Sequence, residues 1–465
     1  MEGKFMGSIV RLAALEITNI KNVRNGRIVM PNANQKQLSY KKAEVLGLYG
    51  QNGSGKTAVI DALDILQRVM IGFTLEGEIA GYIGADCRQS EIGADFNIFS
   101  EEAIYEVHYD VLLQKNEKGV EIARETLSSA VNEGESRSNK TVFMDYQRLE
   151  KGIVFSPAKR FAEVTEADKE NRTDLIVARK IAEKSNCSYI FGESSREIFG
   201  RNYENNFRHC SNVIRSLFNF ALKDLFVISN MHSGMISANF FLPLTFKKER
   251  EGGGMKGDLT IPFNEPVVVE EDRKNLMEEI ISQINIVLVT IIPGMELRIY
   301  NYGRQLTDSG QEGYRVELVS LRENMSPIPI RMESNGIIKI ISILHALIQA
   351  FANPSICLAI DELDAGVFEY LLGELLDIFN KSAKGQMIFT SHNLRALEML
   401  DKDSVMFSTT NPDRRYIRMK NVKTSNNLRD TYLRGITLGG QDEVIYEETD
   451  SLKIARAFRK AGRRI

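Results

Sequence analysis

The sequence predicts an α/β fold: a mainly parallel sheet flanked by helices, with an antiparallel subdomain and a helical insertion. Three observations carry this expectation. An apolar run, a glycine loop and an apolar-faced helical pattern follow one another over residues 45–70. A second apolar run, Ile356-Cys357-Leu358-Ala359-Ile360, ends in the acids Asp361 and Glu362. Carboxylates at the carboxyl end of a buried strand lie where an open α/β sheet places its ligand. Between these two clusters the pattern passes from strand-like alternation to charged, helical periodicity.

The elements can be taken in order. Leu12, Leu15, Ile17 and Ile20, then Ile28 and Val29, read as a strand pair within residues 8–31. The polar stretch Pro31–Lys42 breaks the pattern before the short buried strand Val45–Tyr49. Gly50-Gln51-Asn52-Gly53-Ser54-Gly55-Lys56-Thr57 then matches the phosphate-binding pattern G-x-x-x-x-G-K-[ST]. Val59, Ile60, Leu63, Leu66, Val69 and Met70 continue at helical spacing. Glycines let the backbone turn tightly, so that its N–H groups converge on phosphate oxygens at a helix N-terminus. Lys56 would reach the outer phosphates of ATP, and the Thr57 hydroxyl would hold Mg²⁺.

Residues 76–100 read as irregular. Ile104–Leu113 and Val120–Leu127 alternate, with the turn Asn116-Glu117-Lys118-Gly119 between them, so a hairpin is expected. Residues 128–290 are richer in charge and helical spacing, notably at Ala162–Ser185, Asn205–Phe226 and Asp272–Ile292. They read as a helical insertion, too short and irregular for a long heptad coiled coil. Glu251-Gly252-Gly253-Gly254, with Lys247, Lys248 and Arg250, reads as a solvated mobile loop, a nucleic-acid contact being the alternative.

Strand patterning returns at Glu296–Tyr300 and Tyr314–Arg322. Glu333-Ser334-Asn335-Gly336 opens the apolar helical run Ile337–Phe351, where a Ser-x-Gly start is a natural cap. At the second acidic strand, Asp361 would hold Mg²⁺, directly or through water, and Glu362 would polarise an attacking water. Leu363-Asp364-Ala365-Gly366 follows at once, then an amphipathic helix over Val367–Phe379. The strand Gln386–Thr390 ends in Ser391-His392-Asn393, and Val405–Phe407 and Arg415–Met419 read as further strands. In Ser451–Ile465, Leu452, Ala455 and Phe458 could form one helix face beside Lys453, Arg456, Arg459, Lys460, Arg463 and Arg464. A solvated helix end is expected there, with a docking or phosphate-contacting tail as the alternative.

Composition narrows the class. The 465 residues are 43% hydrophobic, enough for one large core and a second unit. A net charge of −3 gives no global nucleic-acid signature. The four cysteines (Cys87, Cys187, Cys210, Cys357) are scattered, as in a reduced, cytoplasmic protein, and the five histidines suggest no zinc site. No secretory signal is read at the start, and the apolar runs Ile337–Phe351 and Ile284–Ile292 are too short for a bilayer span.

The motif order resembles the ABC-type ATPase layout of SMC and DNA-repair ATPases: P-loop, long insertion, Ser-x-Gly helix, Asp-Glu strand, Leu-Asp, strand-end His. More closely it looks like the AAA_15/AAA_21 group of stand-alone ATPases related to OLD-family proteins. The resemblance covers residues 8–130 and 295–420. It implies an ABC-type head in two halves, 1–130 and 295–420, an insertion or arm at 131–294, and an extension with a basic tail at 421–465. It further implies ATP and Mg²⁺ as ligands, and composite ATP sites in a homodimer that could build higher oligomers. Ser334 and Gly336, in a degenerate signature without its second glycine and glutamine, would contact the partner's γ-phosphate. Asp364 would link the two sites, and His392 would sense the γ-phosphate. Gln89 and Gln147 are both candidates for the Q-loop glutamine. The implied role is anti-phage defence with a separate effector, as in OLD-like, Septu-type and PARIS-type systems. An OLD-type ATPase-nuclease, an SMC-like DNA-maintenance ATPase and an ATP-holding scaffold are the alternatives. A clear TOPRIM-type acidic set is missing after His392, where Asp442, Glu443, Glu447, Glu448 and Asp450 form no recognisable arrangement.

Overall fold

The computed structural model describes residues 8–33, 38–117, 119–133, 136–150, 152–230, 234, 241–250, 253–262, 265–307, 309–420 and 427–462. Strands β1 (Ile9–Ile20) and β2 (Val23–Val29) pair antiparallel. β3 (Glu44–Tyr49) is buried at every residue and leads through the glycine loop into helix α1 (Lys56–Met70). β4 (Gln89–Phe99), β5 (Ile104–Asn116), β6 (Gly119–Glu133), β7 (Ser136–Arg137) and β8 (Thr141–Gln147) follow. They extend the first pair into a seven-stranded antiparallel sheet, β2-β1-β4-β5-β6-β7 with β8 also on β6. Tyr105, Val107, Tyr109, Val111 and Leu113 of β5 alternate into the core, as a half-buried strand requires.

Helices α2 (Ala158–Ala167), α3 (Asn171–Ser185), α4 (Glu193–Phe199) and α5 (Arg208–Asn219) come next. Their buried residues Val164, Leu175, Phe199 and Val213 belong to the same core cluster as α1 and the antiparallel sheet. A π-turn over Phe220–Asp224 then delivers β9 (Leu225–Ile228) into the central sheet. That sheet has the order β19-β18-β3-β17-β16-β9, with β16 at Cys357–Ile360, β17 at Gln386–Thr390, β18 at Val405–Ser408 and β19 at Tyr416–Ile417. Every pair is parallel except β18–β19. Strands covered on both faces read as continuous apolar runs, which is how β3 and β16 look in sequence.

The third unit comprises the hairpin β10 (Phe241–Arg250) and β11 (Gly253–Pro262), then β12 (Val267–Val269), β13 (Met295–Leu306), β14 (Glu312–Arg322) and β15 (Ile328–Pro329). Two helices cover it, α6 (Glu271–Ile291) and α7 (Asn335–Ala352). α7 lies between two cores: Ile338, Ile341 and Leu344 face this unit, and Ile340, Ile343 and Ala346 face the central sheet. Burial on both sides explains its almost wholly apolar sequence. By length and composition it could cross a bilayer, but here it is a core helix. α8 (Glu369–Ser382), α9 (Ala396–Met399), α10 (Leu428–Leu438) and α11 (Ser451–Gly462) complete the chain.

The segment 131–294, expected to be a helical insertion, is therefore mixed. Its helices α2 to α5 share the main core, α6 with β10, β11 and β12 belongs to the third unit, β8 joins the antiparallel sheet and β9 joins the central one. β9 escapes periodicity because its four residues, three of them buried, follow directly on a helical turn. β4 escapes because Gly93, Asp95 and Asn97, on its other face, are poor strand formers. Of the segment expected to be a mobile loop, Lys247, Lys248 and Arg250 lie on β10, and Gly253 and Gly254 lie on β11. Glu251 and Gly252 lie outside the described residues, as do residues 34–37 of the early polar stretch, Lys118 of the expected turn, and Arg463, Arg464 and Ile465. Lys247 is not a loop cation: its side chain is buried and pairs with Asp224 at 2.6 Å.

One buried cation joins the two large sheets. Arg11, on β1, pairs with Glu44 at the start of β3 at 2.8 Å. The same guanidinium donates to the carbonyls of Pro354 (2.9 Å), Lys384 (2.7 Å) and Lys42 (2.8 Å). Gln386, at the start of β17, donates to Glu44 and to the Leu12 carbonyl and accepts from the Leu12 N–H. Removing one partner of such a pair leaves an uncompensated buried charge, a loss of about 3–5 kcal/mol. Arg11→Met should therefore lower stability by roughly that amount, whereas Arg27→Met, at an exposed pair, should change it by less than about 1 kcal/mol. Urea unfolding midpoints of the two variants decide this; equal effects would contradict the role given to Arg11.

Candidate functional site

The site forms at the carboxyl ends of β3, β16 and β17. Lys56 begins α1, and its Nζ donates to the carbonyls of Gly50 and Gln51, each at 3.0 Å. The loop folds over its own lysine, with Asn52 and Gly53 exposed at the tip. Gly50 has φ 151°, and a Cβ there would sit 1.9 Å from the Ser408 Oγ, so no side chain fits. Ser54 is buried, contacts the Ser408 Oγ at 2.5 Å and donates to the Gln51 carbonyl. Tyr416 donates from its hydroxyl to the Gly55 carbonyl at 2.6 Å, and Asn22 donates to that of Gly53. Burial pulls the Lys56 ammonium down to about 8, while the charges of Asp361, Asp364 and Glu362 act to hold it up.

The two acids emerge from β16 beside this loop. Asp361 is fully buried. Its Oδ1 accepts from the Thr390 hydroxyl at 2.5 Å and from the Thr57 hydroxyl at 3.4 Å. Its Oδ2 is a buried oxygen without a hydrogen-bond partner among the described residues. An orphaned carboxylate oxygen beside a hydroxyl is a hard-oxygen donor set of the kind Mg²⁺ takes. The residues therefore fit a divalent cation held by Asp361 and Thr57. Glu362 turns sharply out of the strand, with φ 49°, an unusual conformation for a residue with a side chain. Its N–H donates to the Thr390 hydroxyl oxygen at 2.8 Å. Leu363 N–H donates to the Thr390 carbonyl. Thr390 thus grips both acids from the neighbouring strand.

The structure also brings Asp364, His392 and Gly336 to this edge. Asp364 Oδ2 accepts from the His392 N–H at 3.0 Å. Partial burial and the nearby Lys56 charge lower the imidazole's pKa, against Asp364, Glu362 and Asp361. Gly336 lies against Gly366: a Cβ on Gly336 would be 1.9 Å from the Gly366 carbonyl oxygen. Ser334 caps α7, its hydroxyl accepting from the Ile337 N–H at 3.4 Å. Ser334 and Asn335 are exposed. Gln89 and Gln147 lie instead on the antiparallel sheet, bonded to Gln114 and Asp145.

Sequence reasoning missed Thr390, Asn22, Ser408 and Tyr416, whose partners lie far away along the chain. Only Thr390 left a signal, as the last residue of the strand that ends in Ser391-His392. Lys339 was also missed. It is buried on α7, where burial lowers its pKa and the charges of Asp361, Glu362 and Asp364 oppose that shift.

No protein-family model matches the chain, and no curated protein matches it. Among solved structures it is similar to an SMC head bound to the C-winged helix domain of ScpA, at 14% identity and a TM-score of 0.43, over 87% of this chain and 96% of that one. An SMC head domain from Thermotoga maritima gives 14% identity and 0.35, over 88% and 99%. The recombination mediator RecF with ATP gives 10% and 0.32, over 83% and 94%.

The geometry fixes an expected titration. In the chelator-treated protein, Lys56 should lose its charge as the pH rises through about 8, below the ordinary lysine value of about 10.4. Asp361→Asn removes an anion that favours the ammonium, so it should move the midpoint lower still. Methyl-carbon NMR of reductively methylated lysines reads this; a Lys56 resonance titrating with the surface lysines would contradict it.

Proposed function

We propose that the protein is a Mg²⁺-dependent ATPase whose two ATP sites are each completed by a second copy of the chain. The observation that carries this reading is the convergence of Lys56, Thr57, the orphaned oxygen of Asp361 and the carboxylate-bearing Glu362 at one strand edge. The amides of Gly50–Thr57 and the Lys56 ammonium bind the phosphates of ATP, the ammonium exchanging its two carbonyls for phosphate oxygens. Thr57 and Asp361 hold Mg²⁺, which when bound neutralises phosphate charge. Glu362 orients a water and accepts its proton as the water's oxygen attacks the γ-phosphorus, while the bond from that phosphorus to the β–γ bridging oxygen breaks and ADP leaves with its electron pair. His392 positions the outer phosphate, and Asp364 holds the His392 backbone.

Exposed Ser334 supports the dimer. The start of α7 is exposed and carries the positive end of the helix dipole, suited to the γ-phosphate of a partner. Gly336 against Gly366 ties this trans surface to the segment after the acids. Within this reading, the motif order favours a defence ATPase working with a separate effector. A nuclease is less well supported. Asp442 pairs with Lys420 at 2.6 Å, and Glu443 accepts from Asn411 and pairs with Arg414, so both acids are engaged in ion pairs.

Glu362→Gln keeps shape while removing the base, so turnover should fall about 10²–10⁴-fold. ATP binding should survive, and the ATP-bound dimer should accumulate in light scattering. Hydrolysis within a few-fold of the parent would remove Glu362 from the role. Composite sites make a separate demand. Lys56→Ala and Ser334→Arg should each be inactive alone, yet their mixture should regain turnover, because a mixed dimer contains one intact site. A mixture as inactive as its components would sink the shared-site reading.

A further inference from the structure

Every residue of α11, Ser451–Gly462, is exposed, so the helix stands clear of the body. Local chemistry forms it there. Asp450 caps it, one carboxylate oxygen accepting from the N–H groups of Leu452 (2.9 Å) and Lys453 (3.1 Å). Ala455, Ala457 and Ala461, the best of helix formers, lie within it.

At about 3.6 residues per turn, its side chains sort by face. Ile454, Ala457, Phe458 and Ala461 follow i, i+3, i+4, i+7 spacing on one face, which the small residues Ser451, Ala455 and Gly462 extend. Lys453 and Arg459 border that face on either side, and Arg456 and Lys460 stand opposite. Leu452 falls on the cationic side. Ile454 is 44% exposed and Phe458 76%. Lys453 lies 3.8 Å from the Asp450 carboxylate, whereas Arg456, Arg459 and Lys460 make no ion pair among the described residues. The chain carries −3 overall, and Glu447, Glu448 and Asp450 precede the helix, so α11 is a local reversal of charge beyond its first turn.

A partner has to satisfy both faces. A nucleic-acid backbone would take the cations and leave Ile454 and Phe458 in water. An apolar protein groove would take Phe458 and would need acids along its rim as well. An anionic lipid surface offers both together: acyl chains for the stripe, and phosphates and carboxylates for the cations beside it. Lys453 and Arg459, at the edges of the stripe, can lay their methylene stems on the apolar layer and raise their charges to the head groups. The helix is also tethered close to the chemistry. Ile445 is buried in the core of the central sheet, and Glu447 N–H donates to Gln51 Oε1 of the glycine loop at 3.0 Å. Residues 447–451 span at most about 14 Å.

We propose that α11 lies flat on an anionic lipid surface, with Ile454 and Phe458 inserted at the boundary of head groups and acyl chains, and so holds the rim of the glycine loop near a membrane. This does not depend on two chains sharing their ATP sites.

The chain has no tryptophan, so Phe458→Trp adds a single reporter. With the full chain free of nucleotide, vesicles of phosphatidylcholine containing phosphatidylserine should shift its emission to the blue and carry the protein down on sedimentation. Brominated acyl chains should quench it. Phosphatidylcholine alone should bind at least about tenfold more weakly, since each Lys or Arg near an anionic leaflet is worth about fivefold in affinity. Phe458→Asp should weaken sedimentation at least about tenfold and Phe458→Leu much less, with ATP binding unchanged in both. Sedimentation without a blue shift would mean that the cations alone touch the surface, and would overturn the insertion. A blue shift caused by DNA or RNA but not by vesicles would make nucleic acid the partner. One that grows with protein concentration in buffer alone would make the partner a second copy. Either result overturns the proposal and leaves the ATPase reading standing.

Discussion

The buried Arg11–Glu44 pair sets the alignment on which the site depends. The guanidinium touches the start of β3 through Glu44, the approach to β16 through Pro354, and the approach to β17 through Lys384. The strands that leave these points are only four to six residues long. Their registers run Glu44 beside Gln386 and Gln386 beside Cys357. In strands so short, alignment at the amino ends fixes alignment at the carboxyl ends, where Gly50, Asp361 and Thr390 must meet. The cation lies at the far ends of these strands from Gly50, Asp361 and Thr390. Taking two charges out of water is expensive, and only full satisfaction of their hydrogen bonds makes the arrangement tolerable.

At the other end, Thr390 does locally what Arg11 does globally. Its hydroxyl donates to Asp361 and accepts from the Glu362 N–H, so one side chain holds one acid by its carboxylate and the next by its backbone. Glu362 keeps its left-handed conformation because these bonds, and that of Leu363 to the Thr390 carbonyl, over-determine the turn. Among the described residues, this strand exit leaves one Asp361 oxygen without a hydrogen-bond partner. A fully satisfied carboxylate would be more stable and less able to take a cation.

Legibility followed sequence distance. The glycine loop Gly50–Thr57, its strand and its helix are contiguous, and Asp361, Glu362 and Asp364 fall within four residues; local pattern suffices for both. The hairpin of β5 and β6 was readable because alternation and a glycine turn are also local. What could not be read were partners brought together from opposite ends of the chain, such as Arg11 with Lys384 or Tyr416 with Gly55. Arg11 did leave a trace, a charge inside the apolar run Ile9–Ile17. β9 left none, since its four residues look like the end of the preceding helix. Lys247 looked like a loop cation only because Asp224, its partner, precedes it by a whole strand.

The helix α7 shows why the acid edge and the exposed Ser334 behave as one unit. Gly336 meets Gly366 backbone to backbone, so neither segment can shift by much without the other. Three residues further along the same face, Lys339 is buried in the field of Asp361, Glu362 and Asp364. Burial disfavours its charge and the three acids favour it, so its balance depends on how many of those acids remain uncompensated. A cation arriving at Asp361 removes part of that favourable field, and an anion arriving near Lys56 changes it in the opposite sense. Electrostatics at the strand edge therefore bear directly on a helix wedged between two hydrophobic cores.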